Sequence, residues 1–314
     1  MTNATLMILF FAALGLGWRW LTPQGVSSAA MQRPLMVLAH RVLLPIAVFF
    51  IIARLPMNDA ALRILLYVLA TSAITLAVAW VWLWKSSLAP KTKGALLIAA
   101  GFGNLFSLGL PLNKALLGDW SMRVAVEYGL VANVLLLYTA GAVLSRSFGE
   151  PGKARFRGPI NDVLADRNVW LKEPLLWAAL AGLAFNLFDI SLPGWLGGIE
   201  AAVYGALFAL LILATTLIVT WKDEWTVQVV DALPAVGIKL ILVPLVMWAM
   251  VELFGSPGAK TTQALLLDSM LPAALLGFTA CERFKLDTGA YAMALSATTL
   301  LSLVTVPVWF NILF

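Results

Sequence analysis

The sequence predicts an all-α integral membrane protein with ten transmembrane helices, built as a five-plus-five inverted repeat in which helices four and nine are broken and cross. Three observations predict it. Of 314 residues, 61% are hydrophobic and only 12% charged, about half the charged share of a soluble domain, so there is too little polar material to cover a globular surface. Ten stretches are apolar over the ~20 residues that a helix needs to cross a bilayer. Two of those stretches carry a proline at matching places in the two halves, Pro111 and Pro272.

In chain order the predicted spans are 4–22, 33–55, 60–84, 92–118, 121–146, 173–191, 197–221, 231–254, 260–283 and 287–313. The first is read as retained, because its charges, Arg19 and Arg33, follow the apolar run rather than preceding it as in a cleaved leader. Short polar turns join 60–84 to 92–118 and 260–283 to 287–313. Trp18, Trp20, Trp82, Trp84, Trp120, Trp170, Trp195, Trp221, Trp225 and Trp309 gather near span ends, where an amphipathic ring sits at headgroup level. Between spans five and six, Gly149, Pro151, Gly152, Gly158 and Pro159 mark a polar linker. Its acids Asp162 and Asp166 read as solvated side chains, since two carboxylates without further ligands make a weak metal site. The chain therefore divides into a first repeat (1–146), a linker (147–172) and a second repeat (173–314).

Basic residues orient the chain. Arg19, Arg33, Lys85, Lys91, Lys93, Arg146, Lys153, Arg155, Arg157, Arg167, Lys172, Lys222, Arg283 and Lys285 fall on one side, against Arg54, Arg63, Lys114, Arg123 and Lys260 on the other. The positive-inside rule makes the first side cytoplasmic. Both termini are then outside the cell (inner) membrane, and the linker is inside. Arg41 and Lys239 lie within spans near the inner side, where long stems let a charged head snorkel to the interface; attraction of a carboxylate is the alternative for Lys239.

The span starts 4, 33, 60, 92 and 121 recur at 173, 197, 231, 260 and 287, an offset of roughly 164–171 residues that marks an internal repeat. Five helices is an odd number, so the second copy enters the membrane from the opposite side, with a pseudo-twofold axis in the membrane plane. A proline inside a helix removes a backbone hydrogen bond. In lipid, backbone groups freed in this way are tolerated only inside protein or along a wet cavity. A matched pair of interrupted spans is the sequence-level pointer to a secondary transporter's binding site.

Several classes are excluded or weakened. The net charge of +5 sits in loops beside spans, with few aromatic residues interleaved, and does not read as nucleic-acid binding. A single cysteine, Cys281, rules out an internal disulfide, and a single histidine, His40, speaks against a histidine metal site. An intramembrane enzyme would need clustered deep acids, His, Cys or Ser–Lys partners, and the sequence offers few. No cofactor is expected beyond a coupling H+ or Na+. A ten-span exporter of the drug/metabolite class shares the five-plus-five plan but does not centre on two proline-broken crossing helices. A channel or a membrane ligand sensor stays open, because a broken-helix site can bind without moving.

The broken segments suit an anion. A helix N-terminus offers free N–H groups and the positive end of its dipole, and two such ends meeting at one point can hold a carboxylate. Asn104, Ser107 and Asn113 lie around Pro111, and Ser269 lies beside Pro272; all are neutral donors or acceptors for substrate. Asn104 has a second reading, as a hydrogen-bond partner for the opened backbone. Asn133 on span five is a further candidate for the cavity, whereas Glu127 belongs nearer the outer interface. Asp268 lies about eight residues into span nine, ~12 Å deep at the helical rise. Intramembrane acids are functional by default, and an acid in an anion site needs a proton or a cation. Asp268 is thus the candidate for binding the coupling ion, with a structural hydrogen-bonding role as the alternative.

The run Gly103-Asn104-Leu105-Phe106-Ser107-Leu108-Gly109-Leu110-Pro111-Leu112, closing with Leu117-Gly118, resembles the fourth span of the auxin efflux carrier family. Ser269-Met270-Leu271-Pro272, followed by Ala280-Cys281-Glu282-Arg283-Phe284, resembles its ninth span. The stretch from Ala294 to Trp309, with Ser296, Thr298, Ser302 and Pro307, is similar to its tenth, and Leu43-Leu44-Pro45 and Leu242-Val243-Pro244 also fit. The short linker resembles bacterial members. The resemblance implies the fold shared with bile-acid/sodium symporters, with spans four and nine crossing near the bilayer midplane. It implies a core of helices 3–5 and 8–10 that moves against a scaffold of helices 1, 2, 6 and 7, in an elevator-type mechanism. Small organic anions (auxin, malonate, malate) are the implied cargo, and a homodimer through the scaffold is the implied assembly.

Overall fold

The computed structural model describes residues 25–54, 59–141, 174–218 and 225–314, with isolated residues among 10–21 and 143–148. The predicted first span and the linker with Asp162 and Asp166 lie almost entirely outside the described residues. Among the described residues every regular element is helical. The α-helices are α1 (Ser28–Leu38), α2 (Leu44–Ala53), α3 (Asp59–Lys85), α4 (Pro90–Gly101), α5 (Leu110–Leu116), α6 (Met122–Gly129), α7 (Pro174–Leu187), α8 (Leu196–Ile218), α9 (Trp225–Gly237), α10 (Val243–Phe254), α11 (Ala259–Ser269), α12 (Leu275–Phe284) and α13 (Thr288–Leu313).

Six helical stretches among the described residues are long and apolar enough to cross a bilayer: Ala30–Ala53, Ala61–Lys85, Asp119–Gly141, Leu196–Ala214, Val230–Phe254 and Thr288–Leu313. A shorter apolar helix, Pro174–Leu187, occupies the predicted sixth span. The predicted fourth and ninth spans do not join this set because each is divided. Helix ends at Gly101 and resumes at Leu105, and it ends again at Ser269 and resumes at Leu275.

The prolines act differently from expectation. Three five-residue π turns, Ala39–Leu43, Leu105–Gly109 and Ile238–Leu242, each run into an α-helix whose second residue is proline: Pro45, Pro111 and Pro244. Proline has no N–H for the carbonyl four residues back, and its ring presses on that carbonyl. One extra residue in the turn relieves the clash. Accordingly the N–H of Leu44 reaches the Ala39 carbonyl, and that of Val243 reaches Ile238. Pro111 therefore widens its helix and does not break it. The interruption in the fourth span lies earlier, at Phe102–Asn104.

The chain forms two compact units. Unit 1 comprises Met1–Met57, Phe106–Val126 and Asn168–Ile218. In it α7 packs along α2, and α8 packs on α1. The approach of α7 to α2 is close because Gly182 has no side chain: a Cβ there would lie 2.8 Å from the Phe49 carbonyl oxygen and 3.1 Å from Ile52 Cβ. One turn on, Asn186 Nδ2 donates to the carbonyls of Ile52 (3.1 Å) and Ala53 (3.3 Å) at the end of α2. Arg54 pairs with Glu200 at 2.7 Å, and Tyr204 donates to the same carboxylate at 3.1 Å.

Unit 2 comprises Asn58–Leu105, Glu127–Arg167 and Val219–Phe314. Here α4 is packed by α3, α9 and α13, and α10 lies against α3 and α11. Asp287 caps α13 by accepting from the Ala290 N–H at 3.0 Å, while its second oxygen accepts from the Thr92 hydroxyl at 2.8 Å. The Leu240 carbonyl, four residues before Pro244, accepts instead from the Trp309 indole at 2.9 Å. Trp309, expected at the headgroup belt, thus has a specific partner inside the unit.

Candidate functional site

The interior of unit 2 holds two short non-helical stretches that pair with each other. Phe102 leaves α4 in an extended conformation (φ −120°, ψ 131°), and Ala274 enters α12 in another (φ −70°, ψ 132°). Gly103 and Ala273 form an isolated antiparallel bridge. The Asn104 N–H donates to the Pro272 carbonyl at 2.8 Å, and the Ala274 N–H donates to the Phe102 carbonyl at 2.9 Å. Backbone groups inside an apolar environment must find partners, and the two interruptions supply some for each other.

Side chains from neighbouring elements serve others. Asn133 Nδ2 donates to the Gly103 carbonyl at 2.8 Å. The Ala273 N–H donates to Thr298 Oγ1 at 3.1 Å, and the Thr298 hydroxyl donates on to the Ala294 carbonyl at 2.8 Å. The Tyr291 hydroxyl donates to the Ala274 carbonyl. Lys239 Nζ donates to the Ser269 carbonyl, the last residue of α11, at 3.4 Å. A cation at a helix C-terminus is favourably placed against the dipole.

Lys239 corrects the sequence reading. Its predicted fate was to snorkel toward the interface, yet it is 1% exposed. The cause is Gly103: a Cβ at that position would lie 3.2 Å from Nζ and 3.5 Å from Cε. The missing side chain leaves room for the lysine head to rest on the backbone of the interruption. No signal within the span holding Lys239 distinguishes this from snorkelling; the pointer is a glycine in another helix.

The predicted site residues divide between the units. Asn104, Asn133, Asp268, Ser269 and Pro272 come together in unit 2. Asn104 Nδ2 and Asn133 Oδ1 are buried without a hydrogen-bond partner among the described residues. Pro272 contributes its carbonyl. The Ser269 hydroxyl is turned back on its own helix, donating to the Leu266 carbonyl at 2.6 Å. Asp268 is 1% exposed, and its carboxylate is within electrostatic range of the Tyr128 phenol. Ser107, Pro111 and Asn113 belong to unit 1. There Asn113 Nδ2 donates to the Gly109 carbonyl at 3.0 Å, and Ser107 Oγ is buried without a partner among the described residues. Tyr291 and Thr298 are not read as site residues from the sequence, and Lys239 is read as a carboxylate partner only as the alternative to snorkelling.

The chain matches the family model described as "Membrane transport protein" over residues 2–310. It is similar to a protein of Methanothermobacter thermautotrophicus described as an uncharacterized transporter, with 24% identity over 310 residues that span 98% of this chain and 97% of that protein. Together with the six long apolar helices among the described residues, the match makes this a multi-pass membrane protein. The chain belongs to the membrane transport protein family, the auxin efflux carrier family that its Asn104–Pro111 run resembles.

Proposed function

We propose that this protein is a secondary active transporter that carries a small organic anion, a carboxylate or dicarboxylate, across the cell membrane. The paired interruptions Phe102–Asn104 and Met270–Ala274 form its binding site. The observation that carries this reading is the Asn104 amide, buried at the interruption with no partner for Nδ2 among the described residues. A buried donor left unpaired costs about 1–3 kcal/mol, and a carboxylate oxygen would offset that cost on binding. Family membership supports transport as the activity. The ten-span inverted repeat, the elevator-type movement of a core against a scaffold, the outside termini and a homodimer through the scaffold complete the proposal. Asp268, buried in the same unit, binds the coupling proton or sodium in this scheme.

Thermal unfolding of the purified protein with a panel of carboxylic acids, with and without sodium at two pH values, tests it. A ligand at a hundred times its Kd adds about 2.7 kcal/mol to stability. One acid class is expected to raise the melting temperature of the wild type and not of Asn104→Ala. The response to pH or sodium is expected to vanish in Asp268→Asn. Equal shifts in wild type and Asn104→Ala would remove the interruption as the site, and an unchanged ion response in Asp268→Asn would remove the coupling role.

A further inference from the structure

Lys239 places a basic side chain in the interior of unit 2, at 1% exposure. An ammonium has three N–H donors, and the acceptor it meets among the described residues is the neutral Ser269 carbonyl, at a long 3.4 Å. Buried charges require a counter-charge as well as hydrogen bonds. Asp268 is the other buried charged residue of the unit among the described residues, within electrostatic range of the Tyr128 phenol. The lysine head instead rests on Gly103, in the middle of the backbone bridge between the two interruptions. The fold thus delivers a basic side chain to the place where two helices open.

We propose that Lys239 is the fixed positive charge of the binding site, recognising the ionised carboxylate of the substrate and restricting the cargo to anions over neutral molecules of the same shape. This rests on the anion-carrier reading above and adds the residue that reads the charge. A lysine that only held the end of α11 would influence stability without discriminating an acid from its amide.

Acid–amide pairs provide the test, with malonate against malonamide and phenylacetate against phenylacetamide as probes. The readout is thermal stabilisation of the full-length protein in detergent. The wild type is expected to respond to an acid and not to its amide. Lys239→Met keeps most of the apolar stem and removes the charge; it is expected to lose affinity for the acid by about tenfold or more and to lose the discrimination, while Lys239→Arg keeps it. A folded Lys239→Met that binds the acid as tightly as the wild type overturns the proposal while leaving the anion-carrier reading standing. Should Lys239→Met not fold, the wild type still decides, because equal stabilisation by acid and amide overturns it. If neither acid stabilises the wild type, the carrier reading falls and this proposal falls with it.

Discussion

Ala39–Leu43 in unit 1 and Ile238–Leu242 in unit 2 are both five-residue π turns that hold a basic residue and run into a proline, Pro45 in one and Pro244 in the other. Arg41 in the first is exposed, whereas Lys239 in the second is buried. The first turn is packed by α7 and α8, the second by α4 and α13. The local chemistry is the same in both: a proline withholds one N–H, and the helix widens by a residue. What differs is the neighbour. Gly103 leaves room for a lysine head, and Trp309 supplies the N–H that Pro244 withholds from Leu240. Sequence near a proline thus sets the turn, while a residue from a distant helix sets where the charge goes.

The largest expected effect comes from neutralising the two cations in turn. Uptake of the cognate acid into proteoliposomes should fall by about tenfold or more in Lys239→Met, a loss of about 1.4 kcal/mol or more of binding, and should change little in Arg41→Met. Equal losses would erase the functional difference between the two turns. The next effect contrasts two asparagines that each serve backbone carbonyls, Asn133 in unit 2 and Asn186 in unit 1. Asn133→Ala removes a fully buried bond to the Gly103 carbonyl, which keeps the Leu105 N–H at 2.9 Å, and should cost about 1.5 kcal/mol, the upper end for one hydrogen bond. Asn186→Ala acts where the bond is only part-buried and should cost about 0.5–1.5 kcal/mol. Chemical or thermal unfolding of both variants checks the order, and a larger loss at Asn186 would reverse the ranking of the sites. The smallest effect is expected at the Arg54–Glu200 pair, whose arginine is half-exposed. Arg54→Gln should change stability by under about 1 kcal/mol and leave uptake unaltered; a loss of uptake would give that pair a role the account does not assign.

Much of the fold was legible because apolar runs of bilayer length are a strong signal. Predicted spans at 60–84, 231–254 and 287–313 correspond to helical stretches Ala61–Lys85, Val230–Phe254 and Thr288–Leu313. The position of the first interruption was not legible. Proline is the obvious breaker, but Pro111 falls on the second residue of α5, while the chain opens at Phe102–Asn104, where no proline stands. There the opening is held by partners far along the chain, Pro272 and Ala274. The site was legible in part. Pro272 is legible as a helix breaker, Asn104 as a neutral polar residue beside the other broken segment, and Asp268 as an acid deep in a span. Ser269 reads as a neutral donor beside Pro272, yet its hydroxyl is occupied by its own helix. For Lys239 the sequence favours snorkelling over a carboxylate partner, because snorkelling and burial look alike in one dimension. Thr298 is missed because a threonine hydroxyl in a long apolar helix ordinarily bonds its own backbone, and Tyr291 because nothing in its own helix marks a partner for the phenol; only the fold brings them to Ala273 and Ala274.

Counterflow in proteoliposomes tests the central claim, that the paired interruptions in unit 2 bind an anion and carry it. Vesicles loaded with unlabelled acid and diluted into labelled acid should accumulate label transiently and saturably with the wild type, and not with Asn104→Ala or Lys239→Met of the same fold and reconstitution yield. Flux that neither saturates nor overshoots would mark a pore in place of a carrier, and overshoot undiminished in both variants would place the binding site elsewhere in the molecule.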